Sequence, residues 1–183
     1  NNQDSWIHRL PTPSRAPYQT RNASAIMRIV IQRVSHASVS IDSRAHASGQ
    51  INAGLVALVG LQAGDDDASL RWSAEKLTNA RIFPDDQGRM NRSIKEISRG
   101  GVLLIPNFTV GCIIGKGRRP SFDAAMPPDD ARSMFDALTS VVESLLAGSG
   151  VTVATGVFGA DMQVRLVNDG PVTFVLESPP GSR

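Results

Sequence analysis

The residues in this chain that could do chemistry are mostly main-chain groups in two loops. The first loop follows an apolar run and contains Asn107, Phe108 and Thr109. A strand that ends in a kinked loop leaves N–H groups unpaired, and such donors can stabilise an oxyanion, each contributing roughly 10²–10³ in rate. These three residues are therefore candidates for a catalytic loop. A β-bulge at the strand end is the purely structural alternative.

The second loop contains Gly170 and Pro171. Residues 162–167 before it alternate between apolar and polar, and residues 172–176 after it are largely apolar. Both flanks are typical of strands, and we interpret residues 168–171 (Asn-Asp-Gly-Pro) as the turn that joins them. A proline after glycine is a candidate for a cis peptide bond, whose two carbonyl groups could bind an ammonium group. An ordinary β-turn is the alternative.

A basic cluster lies between the two loops, consisting of Lys116, Arg118 and Arg119. Three cations within four residues repel one another unless an anion lies among them. The cluster indicates a phosphate-binding loop, and a solvated loop fits the spacing equally well.

Conventional catalytic sets are missing from the sequence. No histidine follows His46, which argues against a Ser-His-acid triad, and the histidine and cysteine spacing suggests no metal site. There is no P-loop and no dinucleotide-binding fingerprint. The single Cys112 lies in an apolar setting that raises a thiol pKa, so we expect it to be inert. We therefore expect no metal and no cofactor.

Composition predicts one globular domain. The chain has 183 residues, of which 41% are hydrophobic and 20% charged. The net charge of +2 is carried by residues 1–26, and the charges of the rest cancel. A polyanionic partner would therefore be bound through a local basic cluster. Since no apolar run approaches the length of a membrane span, we expect a soluble protein. The single cysteine excludes an internal disulfide framework and suits a reducing cytoplasm, which is the location we expect.

The domain boundaries follow from proline content and apolar periodicity. Residues 1–26 contain three prolines and no periodic apolar pattern. We expect a disordered leader there, either a transit peptide or upstream sequence without a folded role. Residues 27–178 form the single domain, and residues 179–183 form a flexible tail.

The predicted elements form an α+β fold. Apolar runs predict strands at residues 27–34, 55–61, 81–83, 102–105 and 151–153. The run of aspartates at 65–67 predicts the start of one helix, which continues to about residue 79. Residues 127–130 (Pro-Pro-Asp-Asp) predict the start of a second helix that ends at residues 148–150.

Several stretches together resemble the D-aminoacyl-tRNA deacylase family over residues 27–178. They are residues 32–34 (Gln-Arg-Val), 79–83 (Asn-Ala-Arg-Ile-Phe), 90–93 with Met-Asn and Ser, 116–122 (Lys-Gly-Arg-Arg-Pro-Ser-Phe), 158–162 (Phe-Gly-Ala-Asp-Met) and 168–173 (Asn-Asp-Gly-Pro-Val-Thr). The last is the Asn-x-Gly-Pro-x-Thr signature of that family.

The resemblance implies an enzyme without a cofactor. It would hydrolyse the ester that joins a D-amino acid, or glycine, to the 3′-terminal adenosine of tRNA, a chiral proofreading step in translation. The implied fold has mostly antiparallel β-sheets in a barrel-like core, with two main helices packed against it. A homodimer is also implied, in which a cis Gly170-Pro171 enters the partner's active site. The ribose 2′-hydroxyl would take part in the chemistry.

The resemblance also assigns roles to residues of this chain. The scissile ester would be lined by Asn107, Phe108 and Thr109, and the amino acid would be bound by Gly170, Pro171 and Thr173. Phe158 and Met162 would receive the adenosine. The tRNA phosphates would be contacted by Lys116, Arg118 and Arg119.

The chain departs from the family at one signature. The family has Ser-Gln-x-Thr-Leu where this chain has Pro106, Asn107, Phe108, Thr109 and Val110. Pro106 supplies neither a hydroxyl nor an N–H group. The alternative function is therefore a tRNA 3′-end binding protein of the same fold with weakened catalysis or shifted specificity.

Overall fold

The computed structural model describes residues 27–41, 47–112, 114 and 118–179. The predicted leader at 1–26, Lys116 and residues 180–183 of the predicted tail lie outside the described residues. Within these residues the strands are β1 (Arg28–Ile41), β2 (Ala47–Ile51), β3 (Gly54–Gly60), β4 (Phe83–Pro84), β5 (Met90–Arg92), β6 (Gly101–Pro106), β7 (Thr152–Thr155) and β8 (Met162–Glu177). The helices are α1 (Asp67–Asn79) and α2 (Pro128–Leu146), with 3₁₀ helices at Ile94–Glu96 and Phe108–Gly111.

The main sheet is a nearly closed barrel with mixed strand directions. Its order is β2-β1-β3-β6-β7, and β8 pairs with β1. β2 also approaches β7, since a Cβ atom on Gly49 would come within 2.9 Å of the Thr155 carbonyl oxygen. The pairs of β1 are antiparallel, whereas β3–β6 and β6–β7 are parallel. Because α1 and α2 are the crossover connections of those parallel pairs, both helices pack on the outside of the barrel. The predicted α+β fold with a barrel-like core and two helices is confirmed.

Two hydrophobic cores lie on opposite faces of the sheet. Alternate residues of β3, such as Leu55 and Ala57, pack toward the helices, while Val56 and Leu58 pack inside the barrel. β6 divides in the same way, with Leu104 on the helix side and Leu103 inside. Burial on both faces explains why these two strands are uninterrupted apolar runs in the sequence.

Both helices begin and end close to their predicted bounds. Asp66 caps α1 by accepting a 2.9 Å hydrogen bond from the Ser69 N–H group, and the Ser69 hydroxyl completes a capping box. α2 begins at Pro128, with acidic residues in its first turn. No helix in the described part of the chain is long and apolar enough to cross a membrane.

The interpretation of residues 168–171 as a turn joining two strands is wrong. β8 is one strand that pairs with β1 from Met162 opposite Ile41 to Glu177 opposite Arg28. The register shifts so that residues 169–172, between the partners of Val34 and Gln32, lie opposite Arg33 alone. These four residues, the Gly-Pro bulge below, do not reverse the chain because both flanks pair with the same long strand.

Two shorter elements also differ from the prediction. The strand expected at residues 81–83 covers only Phe83–Pro84, which pairs with β5. β2 was not predicted because its sequence, Ala-Ser-Gly-Gln-Ile, has only one large apolar side chain.

Candidate active site

One pocket gathers five of the residues singled out from the sequence. Its volume is about 610 Å³, and it lies among the ends of β3 and β6, the start of α2 and the segment before β8. The five residues are Asn107, Phe108, Thr109, Phe158 and Met162. Two separate stretches of sequence therefore meet at a single concave surface.

The lining of this pocket is largely apolar. Its other members include Val59, Leu61, Pro106 and Met126. Among the described residues of the lining, Asp161 has the single ionisable side chain. Such a surface suits a planar base or an aromatic side chain, and polar chemistry within it must come chiefly from main-chain groups.

Asn107 shapes the pocket by capping the 3₁₀ helix Phe108–Gly111. Its N–H group donates to the Val59 carbonyl oxygen at 2.8 Å, which ties it to the end of β3. Its side-chain Oδ1 accepts from the Thr109 hydroxyl at 2.8 Å and from the Val110 N–H group at 3.3 Å. Its side-chain oxygen is therefore occupied in holding the helix.

The N–H groups of Phe108 and Thr109 open that 3₁₀ helix. In a helix with i to i+3 hydrogen bonds, the first N–H groups have no acceptor within the helix. The first bond of this turn runs from the Val110 N–H group to the Asn107 carbonyl oxygen. Two adjacent donors at the pocket wall are the arrangement that an oxyanion hole requires.

Close packing fixes the position of the 3₁₀ helix. A Cβ atom on Gly60 would come within 2.6 Å of the Gly111 nitrogen, so only glycine fits at this point of β3. The side chain of Gln62 donates to the Gly111 carbonyl oxygen, and the Arg28 guanidinium donates to that of Val110, each at 3.4 Å. Contacts with the buried sheet would thus fix the positions of the N–H donors in this helix.

An aromatic pair lies at the pocket rim. The rings of Phe108 and Phe122 stack with centroids 4.8 Å apart and planes 6° apart. Phe108 remains 54% exposed and Phe122 42%. Sequence reasoning gave Phe122 no role, although it lies in a stretch that matches the family. The pair brings the chain that follows the basic cluster up to the pocket.

The described members of the basic cluster are exposed. Arg118 and Arg119 lie four and three residues before Phe122, and the described residues give neither of them an ion pair. Neither lines the pocket. Their predicted contact with phosphates stays a prediction.

The surroundings of Cys112 disfavour a role as a nucleophile. Burial raises the pKa of its thiol, whose Sγ lies 3.5 Å from the Phe108 carbonyl oxygen. A thiol with a raised pKa is protonated and weakly nucleophilic near neutral pH. The sequence-based interpretation of an inert cysteine agrees with this setting.

The Gly-Pro bulge contains the Gly170-Pro171 peptide bond, which is cis as expected. Arg33 binds the bulge: its Nε lies 2.9 Å from a carboxylate oxygen of Asp169 and 3.1 Å from the Asp169 carbonyl oxygen. Its Nη1 donates to the Ile82 carbonyl oxygen at 2.6 Å. The guanidinium therefore links the bulge to the residue before β4.

Asn168 secures the same bulge from its other side. Its side-chain amide donates to the carbonyl oxygens of Arg33 at 2.9 Å and Val172 at 3.1 Å. One side chain thus bridges the two ends of the bulge and the opposite strand. The asparagine of the Asn-x-Gly-Pro-x-Thr pattern has a positioning role that sequence reasoning did not assign.

Three of the predicted substrate-binding residues are not in the pocket of their own chain. Gly170, Pro171 and Thr173 are exposed and do not contribute to its lining. The Thr173 hydroxyl instead accepts a 3.2 Å hydrogen bond from the Gln32 side chain. The predicted site is thus divided between a pocket and an exposed bulge.

Comparison with known proteins agrees with this architecture. The family D-Tyr-tRNA(Tyr) deacylase matches residues 30–177. A D-aminoacyl-tRNA deacylase of Chlorobaculum parvum is 50% identical over 84% of this chain and 99% of its own. One of Geobacter metallireducens is 45% identical over 84% of this chain and 97% of its own.

Solved structures share the fold. A c-Myc DNA unwinding element binding protein aligns with a TM-score of 0.74 and 32% identity, covering 83% of this chain and 99% of that one. A probable eukaryotic D-amino acid tRNA deacylase aligns over the same shares with a TM-score of 0.69 and 17% identity. The chain belongs to the D-Tyr-tRNA(Tyr) deacylase family.

Proposed function

We propose that the protein hydrolyses the ester bond of D-aminoacyl-tRNA and releases the free D-amino acid and tRNA. The observation that carries this proposal is the pocket in which the N–H groups of Phe108 and Thr109 open a helix. Among its described lining residues, Asp161 has the single ionisable side chain. Ester hydrolysis needs stabilisation of one developing oxyanion, and main-chain donors can provide it.

The reaction proceeds by addition and elimination at the ester carbonyl. Water adds to the carbonyl carbon of the ester. The carbonyl oxygen becomes an oxyanion, which accepts hydrogen bonds from the N–H groups of Phe108 and Thr109. The bond from that carbon to the ribose oxygen then breaks, and a proton derived from the water ends on the ribose oxygen. Each donor contributes about 2.7–4 kcal/mol of transition-state stabilisation. The neighbouring ribose hydroxyl takes part in place of a side-chain base.

The terminal adenosine occupies the apolar part of the pocket. Phe158 lines it from the segment before β8, Met162 from the first residue of β8, and Phe108 from the 3₁₀ helix. Base stacking on aromatic rings contributes about 1–3 kcal/mol per base. In the same proposal, Lys116, Arg118 and Arg119 bind phosphates further along the acceptor stem.

The Gly-Pro bulge completes the site of a second copy. In its own chain the bulge is exposed, and three apolar side chains beside it on β8 are exposed as well, namely Val167, Phe174 and Val175 at 48%, 42% and 57%. This surface suits a contact between two copies. Carbonyl groups of Gly170 and Pro171 then bind the amino group of the substrate, and an L side chain collides with that main chain. Selection by exclusion avoids dependence on small differences in attraction.

A deacylation assay tests the function. We expect purified protein to release tyrosine from D-tyrosyl-tRNA at least about 100-fold faster than from L-tyrosyl-tRNA, since an L side chain collides with the main chain of the bulge. Equal rates on both substrates would contradict the proposed selection of the D form. No release from either would contradict the proposed hydrolase activity. A single domain over residues 27–178 and a cytoplasmic location stay predictions.

A further inference from the structure

None of the described residues that line the pocket carries a positive charge, although the proposed ligand carries a phosphate. The 3′-terminal adenosine of tRNA is joined to the preceding nucleotide through its 5′-phosphate. Asp161, the ionisable side chain of the lining, would repel that group. A side chain that neutralises the phosphate must therefore reach it from beside the pocket.

Arg132 lies at the right place. It follows Ala131, which lines the pocket from α2, and it is exposed. Its guanidinium lies over the ring of Phe158, 5.0 Å from the centroid, and its Nη2 donates to the Phe158 carbonyl oxygen at 3.5 Å. Stacking on the ring holds the guanidinium at the edge of the pocket and leaves most of its N–H donors free.

No acid among the described residues forms an ion pair with this arginine. Asp129 and Asp136 precede and follow it on α2, and Asp161 lies in the pocket, yet none of them forms an ion pair with it. By contrast, Arg33 is paired with Asp169. An unpaired guanidinium offers a planar set of donors that matches phosphate oxygens.

A second hollow begins on the other side of Phe158. It measures about 400 Å³ and lies between α2 and residues 155–158. Phe158 borders both hollows, and Arg132 lines the second. Asp136, Thr139 and Ser140 also line the second hollow. The guanidinium thus lies where two adjacent compartments meet.

We propose that Arg132 binds the phosphate between the terminal adenosine and the preceding nucleotide, and that the preceding nucleotide occupies the second hollow. The inference rests on the proposed function and adds a binding residue to it. Nothing in the sequence indicated this role, because α2 brings Arg132 to Phe158 only in the folded chain.

Two small substrates test the contact between Arg132 and the phosphate separately from the rest of the tRNA. They are adenosine bearing D-tyrosine on its 3′-oxygen, and the same compound with a 5′-phosphate. We expect the wild-type kcat/KM to be about five- to tenfold higher for the phosphorylated compound, through KM, since one charged contact is added. Arg132→Met should abolish this preference, so that its kcat/KM is the same for the two compounds. Arg71→Met, at an exposed arginine of α1 outside both hollows, should retain the preference.

A binding measurement separates this inference from the function itself. The probe is a CCA trinucleotide that carries D-tyrosine through a stable amide. Arg132→Met should weaken its binding about five- to tenfold and reduce the slope of log K against log salt by about 0.7–1. If the wild type hydrolyses D-tyrosyl-tRNA and Arg132→Met retains the phosphate preference and the affinity, the inference is overturned and the function stands. If hydrolysis is absent but affinity still depends on Arg132, the function falls and the phosphate contact stands.

Discussion

The pocket wall and the Gly-Pro bulge belong to one proposed site, but they are held in different ways. The wall is the 3₁₀ helix Phe108–Gly111, fixed at the end of a buried strand by a main-chain hydrogen bond from Asn107 to Val59. Residues 169–171 of the bulge are exposed, and the side chains of Arg33 and Asn168 hold it. Wall geometry is therefore part of the fold, whereas bulge geometry depends on a few polar contacts. Damage to the wall should reduce stability and activity together, and damage to the bulge should mainly reduce activity.

The largest effect is expected for Gly170→Ala. A Cβ atom there would overlap the Val172 nitrogen and lie 3.0 Å from the Val172 Cα atom, so the bulge must change shape. We expect kcat/KM on D-tyrosyl-tRNA to fall at least about 100-fold, as expected when binding geometry is displaced by about 1 Å. Because the bulge is exposed, the free energy of unfolding should fall by only about 1–2 kcal/mol, as measured by denaturant titration.

Gly148→Ala is the matched control for that variant. Gly148 has a φ of +77° and no atom within 4 Å of an added Cβ, and it lies past the end of α2. Alanine there should cost about 1 kcal/mol of stability through backbone strain and leave turnover unchanged. Wild-type rates for Gly170→Ala would show that the bulge has only a structural role.

Much of the fold follows from local signals in the sequence. The aspartates before α1 and the prolines before α2 mark helix starts because capping depends on neighbouring residues alone. The bulge was misinterpreted because its local sequence is the same whether its flanks pair with each other or with β1. Pairing partners are a non-local property. The same limit hid the roles of Arg33, Asn168 and Phe122, whose partners are distant in sequence.

The next effect concerns the wall. Asn107→Ala removes the acceptor of the Thr109 hydroxyl and the Val110 N–H group. Loss of this cap should cost about 1 kcal/mol of stability. We expect kcat on D-tyrosyl-tRNA to fall about 10- to 100-fold, because the donors of Phe108 and Thr109 are no longer held in place. Single-turnover rates and thermal unfolding measure the two quantities.

Asn107→Asp separates the two roles of that residue. It keeps an acceptor for the cap but adds a negative charge beside the proposed oxyanion. Stability should be retained while kcat falls as far as in the alanine variant, because the charge opposes the developing oxyanion. Equal kcat in Asn107→Asp and the wild type would contradict the proposal that the oxyanion forms beside this wall.

A smaller effect is expected for Arg33→Met. The change removes the ion pair to Asp169 and the hydrogen bond to the Ile82 carbonyl oxygen. We expect kcat/KM on D-tyrosyl-tRNA to fall about tenfold, with partial loss of discrimination against L-tyrosyl-tRNA, because a bulge with fewer anchors is less rigid. Glu177→Gln, which removes an ion pair to Arg28 elsewhere along β1 and β8, is the control and should keep wild-type selectivity. Unchanged D/L selectivity in Arg33→Met would show that Asn168 alone suffices.

The smallest effect on activity is expected at Asp65, which supports the pocket wall through Gln62. Asp65 is 9% exposed, and it accepts a 2.8 Å hydrogen bond from the N–H group of Gln62, which in turn holds the 3₁₀ helix. Burial raises the pKa of Asp65 from 3.8 to about 6, and hydrogen bonds from Gln62 and Met27 partly oppose this rise. The folded protein therefore binds this proton more tightly than the unfolded chain does.

The sign of the pH dependence follows from that difference. Between about pH 4 and pH 6 the folded state holds more protons than the unfolded state, so the contribution of Asp65 to stability falls as pH rises, by up to about 3 kcal/mol. Asp65→Asn should lack this loss while keeping wild-type kcat/KM, since Asp65 is not part of the pocket lining. Denaturant titrations at pH 4, 5, 6 and 7 compare the two proteins, and other titrating groups cancel in the difference. A constant difference over this range would mean that burial does not shift this carboxyl group. Altered kcat/KM would mean that the wall is less firmly held by the fold than its contacts indicate.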